Sequence, residues 1–551
     1  MELINQHTKE IMEGCKERAR SEGLAFQNET LEYIVTNKDL LELGPKNMIP
    51  TLYDYWVHDI EVLKEKGRYE LYPTNPYETV INTRPAISFY NDNNPDWLNV
   101  MIFYHVLAHI DFFQNNMLFK NTWSEDFEGK ALSDKRLISR LRSEHGRGVD
   151  YVIEFARGLD NLVGYYKELG RLNHPPEINT SKKLDFYFDV FLQQINQVKW
   201  SKYLKEIERY NQTQKEFGDV GESVFFAKVT KEYPEFEALF EKHQKKNKGR
   251  VNDIMQFLLE HSLFLKKEKN AWMRPVVQIV RNTALFFQPQ IRTKILNEGW
   301  ASYWHEKLFL KDDRIKGNEV NFASVNARIT ALPRVGLNPY ALGMRLFSYI
   351  EDRADRGKLA YDFQKITNAE ERRRYNKKTG QGRRYIFDVR ENYSDFMFVN
   401  HFVDQDFVDQ YRLFTTGRRL NREKGVWEYF VESRNGKKYK QMLLDSLYHP
   451  PNIMVDETRT GDDYLYLQHQ FEGKPLIKEF IPNTMLGLEY FWGAPVKLET
   501  SEPVEASPGS PPNGFMMQDP AHKDEPSEKE PEYQRVVYTM ENKKISKTLL
   551  N

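Results

Sequence analysis

A mainly α protein is what this sequence predicts: a large helical N-terminal domain, a smaller α/β C-terminal domain and a terminal β-hairpin. Three observations predict it. Apolar residues recur at intervals of three and four from Leu3 to about Asp355, as in Tyr151, Val152, Phe155, Leu159, Leu162, Val163 and Tyr166. After a basic, Gly-punctuated stretch from Arg372 to Arg384, the texture shifts to Tyr385–Val389 and then to short strand-like runs such as Tyr464–Leu467. A segment rich in Pro, Ser, Glu and Asp then precedes two strand-like runs that flank Glu541-Asn542-Lys543. The expected division is 1–370 helical, 385–500 α/β, 501–532 a disordered linker and 533–551 a hairpin.

Within the helical part, two stretches are apolar nearly all round, the pattern of buried helices. One runs from Trp97 to Phe113 and the other from about Ile291 to Leu310, with Pro289 placed where a helix often begins. The basic stretch reads as a mobile loop that offers guanidinium groups to an acidic partner. The linker carries too little apolar surface to offset the entropy of ordering it.

At 551 residues the chain exceeds what one core usually organises. Hydrophobic residues make up 40% and aromatics 14%, ample material for globular domains. The 79 basic and 80 acidic residues leave a net charge of -1, which supplies no general field for a nucleic acid or an anionic bilayer. One cysteine, Cys15, excludes an intramolecular disulfide and suits a reducing compartment. With no signal-like N-terminus and no apolar run long enough to span a bilayer, the expectation is a cytoplasmic protein.

The chemistry-bearing residues lie on the two apolar helices. His105 and His109 are four apart, so their side chains project from one helical face about 40° apart. That is the spacing with which helical zinc sites present two imidazoles. Glu298 and His305 are seven apart on the second helix and nearly eclipsed. Together they form a candidate ligand set for a divalent metal, with zinc the expectation. The position that carries glutamate in an HExxH motif is Val106 here, so a base must come from elsewhere, with Asp111 or Glu306 as candidates. The competing reading is that the histidines and Glu298 are polar pairs between packed helices, and that Asp111 is a local partner.

Several segments, in order, resemble the stage V sporulation protein R family: YETVINTRPAISF (77–89), YHVLAHIDFFQNN (104–116), FFQPQIRTKILNEGWASYWHEKL (286–308), LNPYALGMRLFSYIED (337–352) and GQGRRYIFDVREN (380–392). The NEGWASYWH string from Asn297 to His305 is the most specific. It is also similar to the downstream segment of some zinc peptidases, whose glutamate binds metal. The chain departs from the family at 56–67, which lacks an HWSFGK-like string, at Asn282-Thr283 where acidic residues are usual, and near Asn326, where a family histidine falls. The resemblance implies a role in spore-cortex peptidoglycan formation or a related stress response. It also implies partnership with a serine protein kinase and a von Willebrand-type protein. Two functions remain open: a metal-dependent hydrolase of a peptidoglycan-related amide or peptide bond, and a non-catalytic scaffold or regulator in a kinase complex.

Overall fold

The computed structural model describes residues 2–27, 29–36, 39, 78–83, 85–119, 127–164, 181–196, 198, 200–246, 250–251, 253–421, 425–447, 450–471, 474–504 and 532–550. The fold is mainly α, with two compact units that are each discontinuous in sequence: Met1–Asp160 with Trp272–Pro450, and Asn161–Ala271 with Pro451–Asn551. The expected division at 370 and 385 was linear. The segment 56–67, where the sequence departs from the family, lies outside the described residues.

The first unit opens with a four-stranded sheet. Its order is β1 (Glu2–Leu3), β2 (Thr30–Val35), β4 (Ala86–Asn91), β3 (Glu78–Ile81), with β2 and β4 parallel. Helix α1 (Gln6–Ser21) is started by Asn5, whose side chain accepts from the Thr8 N–H. Helix α2 (Asp96–Asn115) follows β4. Asp96 in its first turn suits the positive end of the helix dipole. Every residue from Leu98 to Phe113 is buried, as an apolar surface all round requires.

Pro289 does not start the second apolar helix. It lies in the last turn of α3 (Met273–Arg292), where a missing N–H forfeits a single bond, and Thr293 Oγ1 donates to its carbonyl at 2.7 Å. The second apolar helix is α4 (Lys294–Phe309). It has no capping side chain of its own. Asp395, distant in sequence, accepts from the Ile295 and Leu296 N–H groups at 2.9 and 2.8 Å. Helices α5 (Glu319–Ile329), α6 (Pro339–Asp355) and α7 (Gly382–Asn392) complete the surround. Tyr385–Val389, expected to begin an α/β domain, is inside α7. Its buried residues Ile386, Val389 and Arg390 follow helical spacing.

Helices α4 and α6 touch backbone to backbone at Gly299 and Gly343. A methyl group at either would overlap the other's main chain, so only glycine permits this approach. Three arginines of the basic stretch make contacts within the chain. Arg372 donates to the Phe363 and Ile366 carbonyls, Arg374 pairs with Glu370 at 2.5 Å, and Arg383 pairs with Glu22 at 2.8 Å. The unit also carries a two-stranded hairpin, β5 (Thr415–Asn421) and β6 (Val426–Ser433), with Trp427, Tyr429 and Phe430 exposed.

The second unit is the α/β part. Its six-stranded sheet runs Lys544–Leu549, Tyr533–Glu541, Val496–Pro503, Leu465–His469, Ile453–Asp456, Arg250–Val251. Leu465–His469 and Val496–Pro503 are parallel, joined by the helix Ile481–Trp492, as a parallel crossover requires. The expected terminal hairpin is present, and its turn residues Asn542 and Lys543 both take positive φ, the geometry that matches strand twist. The expected linker begins inside a strand, since pairing continues through Pro503, and 505–531 lie outside the described residues. No helix among the described residues is long and apolar enough to cross a membrane.

Candidate metal centre

Packing of α2 against α4 brings together residues nearly 190 positions apart. His105 and His109 project from α2 as their spacing predicts, with Nε2 atoms 3.1 Å apart. From α4, Glu298 Oε2 stands 3.4 Å from His109 Nε2 and 3.8 Å from His105 Nε2. Among the described residues, these three bring their ligand atoms within 4.8 Å of one another. Both histidines are 6% exposed, whereas 19% of the Glu298 side chain reaches solvent. The oxygen Oε2 itself is buried and makes no hydrogen bond. Burial alone would raise the Glu298 carboxyl, whereas a proton on His105 Nε2 or His109 Nε2 holds it well below the usual range.

Each ring is oriented by a partner behind it. His109 Nδ1 donates to Asn297 Oδ1 at 2.8 Å. His105 Nδ1 and His305 Nδ1 are 2.9 Å apart, and His305 Nε2 donates to Asn326 Oδ1 at 2.9 Å. His305 therefore sits behind His105, on the side away from Glu298. Burial, reinforced by the His105 ring, pushes His305 down to about 3, which keeps it neutral. The Tyr340 ring lies parallel to His105, 6.0 Å between centroids.

The proposed ligands thus divide three and one: His105, His109 and Glu298 converge, and His305 backs His105. The two candidate bases are placed elsewhere. Glu306 Oε2 accepts from Asn326 Nδ2 at 2.6 Å, one residue removed from His305. Asp111 is fully buried and accepts from the Ala25 N–H at 2.7 Å and from Trp300 Nε1 at 2.9 Å, with Arg390 Nε 3.4 Å away. Burial raises its carboxyl to about 6, opposed by those same groups.

Asn297 and Asn326 were not among the sequence candidates. Asn297 could have been found as the neighbour of Glu298 in the NEGWA string. Asn326 had one signal, that a family histidine falls near it.

The family profile described as SpoVR like protein matches residues 2–449. The chain belongs to this family. Among curated proteins it is similar to the uncharacterized protein YcgB of Escherichia coli (strain K12), 21% identical over 498 residues that cover 85% of this chain and 86% of that one. No solved structure matches. The SpoVR-like match takes in every residue of the centre and ends before the C-terminal strands of the second unit.

Proposed function

We propose that this SpoVR-like protein is a metal-dependent hydrolase of an amide or peptide bond, with His105, His109 and Glu298 as ligands of one divalent ion. One observation carries the reading: the triangle of His105 Nε2, His109 Nε2 and Glu298 Oε2, with edges of 3.1, 3.4 and 3.8 Å. Ligand atoms about 3.4 Å apart at three corners of a tetrahedron lie about 2.1 Å from its centre, within the usual Zn–N and Zn–O lengths of about 2.0–2.2 Å. Three protein ligands leave a fourth corner for water or substrate, the pattern of catalytic zinc. The partial exposure of the Glu298 side chain places the centre near the surface. A bound ion there would polarise a carbonyl and acidify water. The protein's own share is to orient two imidazoles through Asn297 and His305 and to keep the apolar walls dry. A peptidoglycan-related substrate and a cytoplasmic setting belong to the same reading and rest on family membership.

The test is metal analysis of protein purified without affinity-tag metals. About one zinc-like ion per chain, lost in His109→Ala, supports the reading, and metal-free protein that takes up none on dialysis against Zn²⁺ ends it.

A second reading has its own observation. The exposed Trp427, Tyr429 and Phe430 on the β5–β6 hairpin suit a surface that meets another protein. On this reading the protein is a scaffold or regulator beside a serine protein kinase and a von Willebrand-type protein, and a proton rather than a metal joins Glu298 to His109. Hydrolysis of an amide substrate by the metal-loaded protein would count against it.

A further inference from the structure

The way the centre is held in its ligating state can be read from hydrogen-bond chemistry alone. Glu306 carries a carboxylate, which accepts and never donates. It lies 2.6 Å from Asn326 Nδ2, so the Asn326 amide must turn its nitrogen toward Glu306 and its oxygen toward His305. An amide oxygen also only accepts. The contact of 2.9 Å between Asn326 Oδ1 and His305 Nε2 therefore places the His305 proton on Nε2. His305 is completely buried, and a neutral imidazole there has its lone pair on Nδ1. That lone pair faces His105 Nδ1 at 2.9 Å, so His105 must be the donor. With its proton on Nδ1, His105 has its lone pair on Nε2, facing His109 and Glu298.

We propose that Glu306 and Asn326 form a relay that selects the tautomer of His305, and through it turns a lone pair rather than an N–H of His105 into the metal centre. Glu306 and His305 are then positioning residues and not base or ligand. The alternative state shows what the carboxylate excludes. With the Asn326 amide reversed, its nitrogen would donate to His305 Nε2, and His305 Nδ1–H would donate to His105. His105 would then point Nε2–H at the centre, where no cation could be ligated. In that state the Asn326 oxygen would face the Glu306 carboxylate, acceptor against acceptor. Glu306 and Asn326 also line an open cleft of about 500 Å³ with Arg345 and Thr330, so the outer end of the relay faces a cleft while its inner end, at His305, is buried.

The relay rests on the metal reading above, and the test separates the two. Co²⁺ affinity is measured by competition with a chromophoric chelator for the wild-type protein, Glu306→Ala, Asn326→Ala and the double variant, with His109→Ala as control. Loss of an outer partner of a metal-bound histidine typically costs about 10–100-fold in affinity. Each single variant is expected to weaken Co²⁺ binding by about that factor, with the visible Co²⁺ absorption bands unmoved because no ligand has changed. The double variant should bind no more weakly than Asn326→Ala, since Glu306 acts only through Asn326. Wild-type affinity in Glu306→Ala, or losses that multiply in the double variant, would overturn the relay while leaving the metal site standing. A wild-type protein that binds no Co²⁺, or that binds it no better than His109→Ala, removes the metal site and the relay with it.

Discussion

Two buried polar clusters lie between the same two helices, and they are satisfied in opposite ways. At Asp111 the carboxylate meets donors: the Ala25 N–H, the Trp300 indole and the nearby Arg390 guanidinium. At Glu298, two residues before Trp300 on α4, a carboxylate oxygen meets two ring nitrogens and forms no hydrogen bond. A closed cluster of donors and acceptors holds a fold together. A cluster of converging acceptors costs stability unless a cation joins it. Helix α2 carries both, with His109 and Asp111 two residues apart and so on different faces.

The sharpest way to break this comparison is to remove the carboxylate from each cluster. Asp111→Ala leaves the buried Arg390 guanidinium without its counter-ion and the Trp300 N–H without its acceptor. Breaking a buried pair in this way costs about 3–5 kcal/mol. The loss should appear in chemical denaturation of chelator-treated protein, with or without metal. Glu298→Gln should behave differently, because its amide offers N–H groups to the ring lone pairs. Chelator-treated Glu298→Gln should denature at or above the midpoint of chelator-treated wild type, and the metal-dependent gain should vanish. That gain is about 2.7 kcal/mol when free metal is a hundred times its Kd. An Asp111→Ala protein as stable as wild type would dissolve the contrast.

A smaller effect tests what places the two clusters. Gly299→Ala forces a methyl group into the Gly343 main chain, and overpacking of this kind costs about 1–3 kcal/mol. Because Gly299 adjoins Glu298, thermal unfolding and metal affinity should fall together. A variant that loses stability but retains full affinity would show that the α4–α6 contact does not set the position of Glu298.

The smallest effect concerns a third cluster, also closed. Asp312 Oδ2 accepts from Tyr104 at 2.6 Å and from Arg314 Nη2 at 2.5 Å. Burial opposes its ionisation, yet the Arg314 and Tyr104 bonds outweigh burial and hold its carboxyl down to about 2. A carboxyl with a folded pKa below its unfolded value contributes stability that is complete above about pH 5 and is lost as pH falls toward 2, on the order of 1–2 kcal/mol. Asp312→Asn should flatten this part of the stability–pH curve. An unchanged acid limb in that variant would assign the acid sensitivity to other groups.

Much of the centre was legible because it depends on local geometry. The i, i+4 spacing of His105 and His109 determines a shared face wherever the segment is helical, and the apolar run around them predicts both helix and burial. The same locality explains two errors. Pro289 and Tyr385–Val389 were judged from their neighbours in the chain, whereas a last helical turn tolerates proline and a helix can hold a run of aromatic and branched residues when its buried face matches. The α/β unit was harder to see. Its edge strand Arg250–Val251 pairs with Ile453–Asp456 across about two hundred residues, and no periodicity records such a pairing.

By itself, then, the sequence determined which residues could share a helix face, that the helices α2 and α4 would be buried, and that the chain is SpoVR-like. Only the tertiary structure decided which polar groups those buried faces present to one another. Asp111 and Glu298 are both acidic residues on apolar helices, and nothing in their spacing tells them apart. Packing gave Asp111 the indole and backbone donors and gave Glu298 the nitrogens of two histidines, with Asn326 and Glu306 behind them. The physical reason is that hydrogen bonding and ligation are decided at distances of about 2–3 Å, which helical register alone cannot specify between segments that meet only on folding.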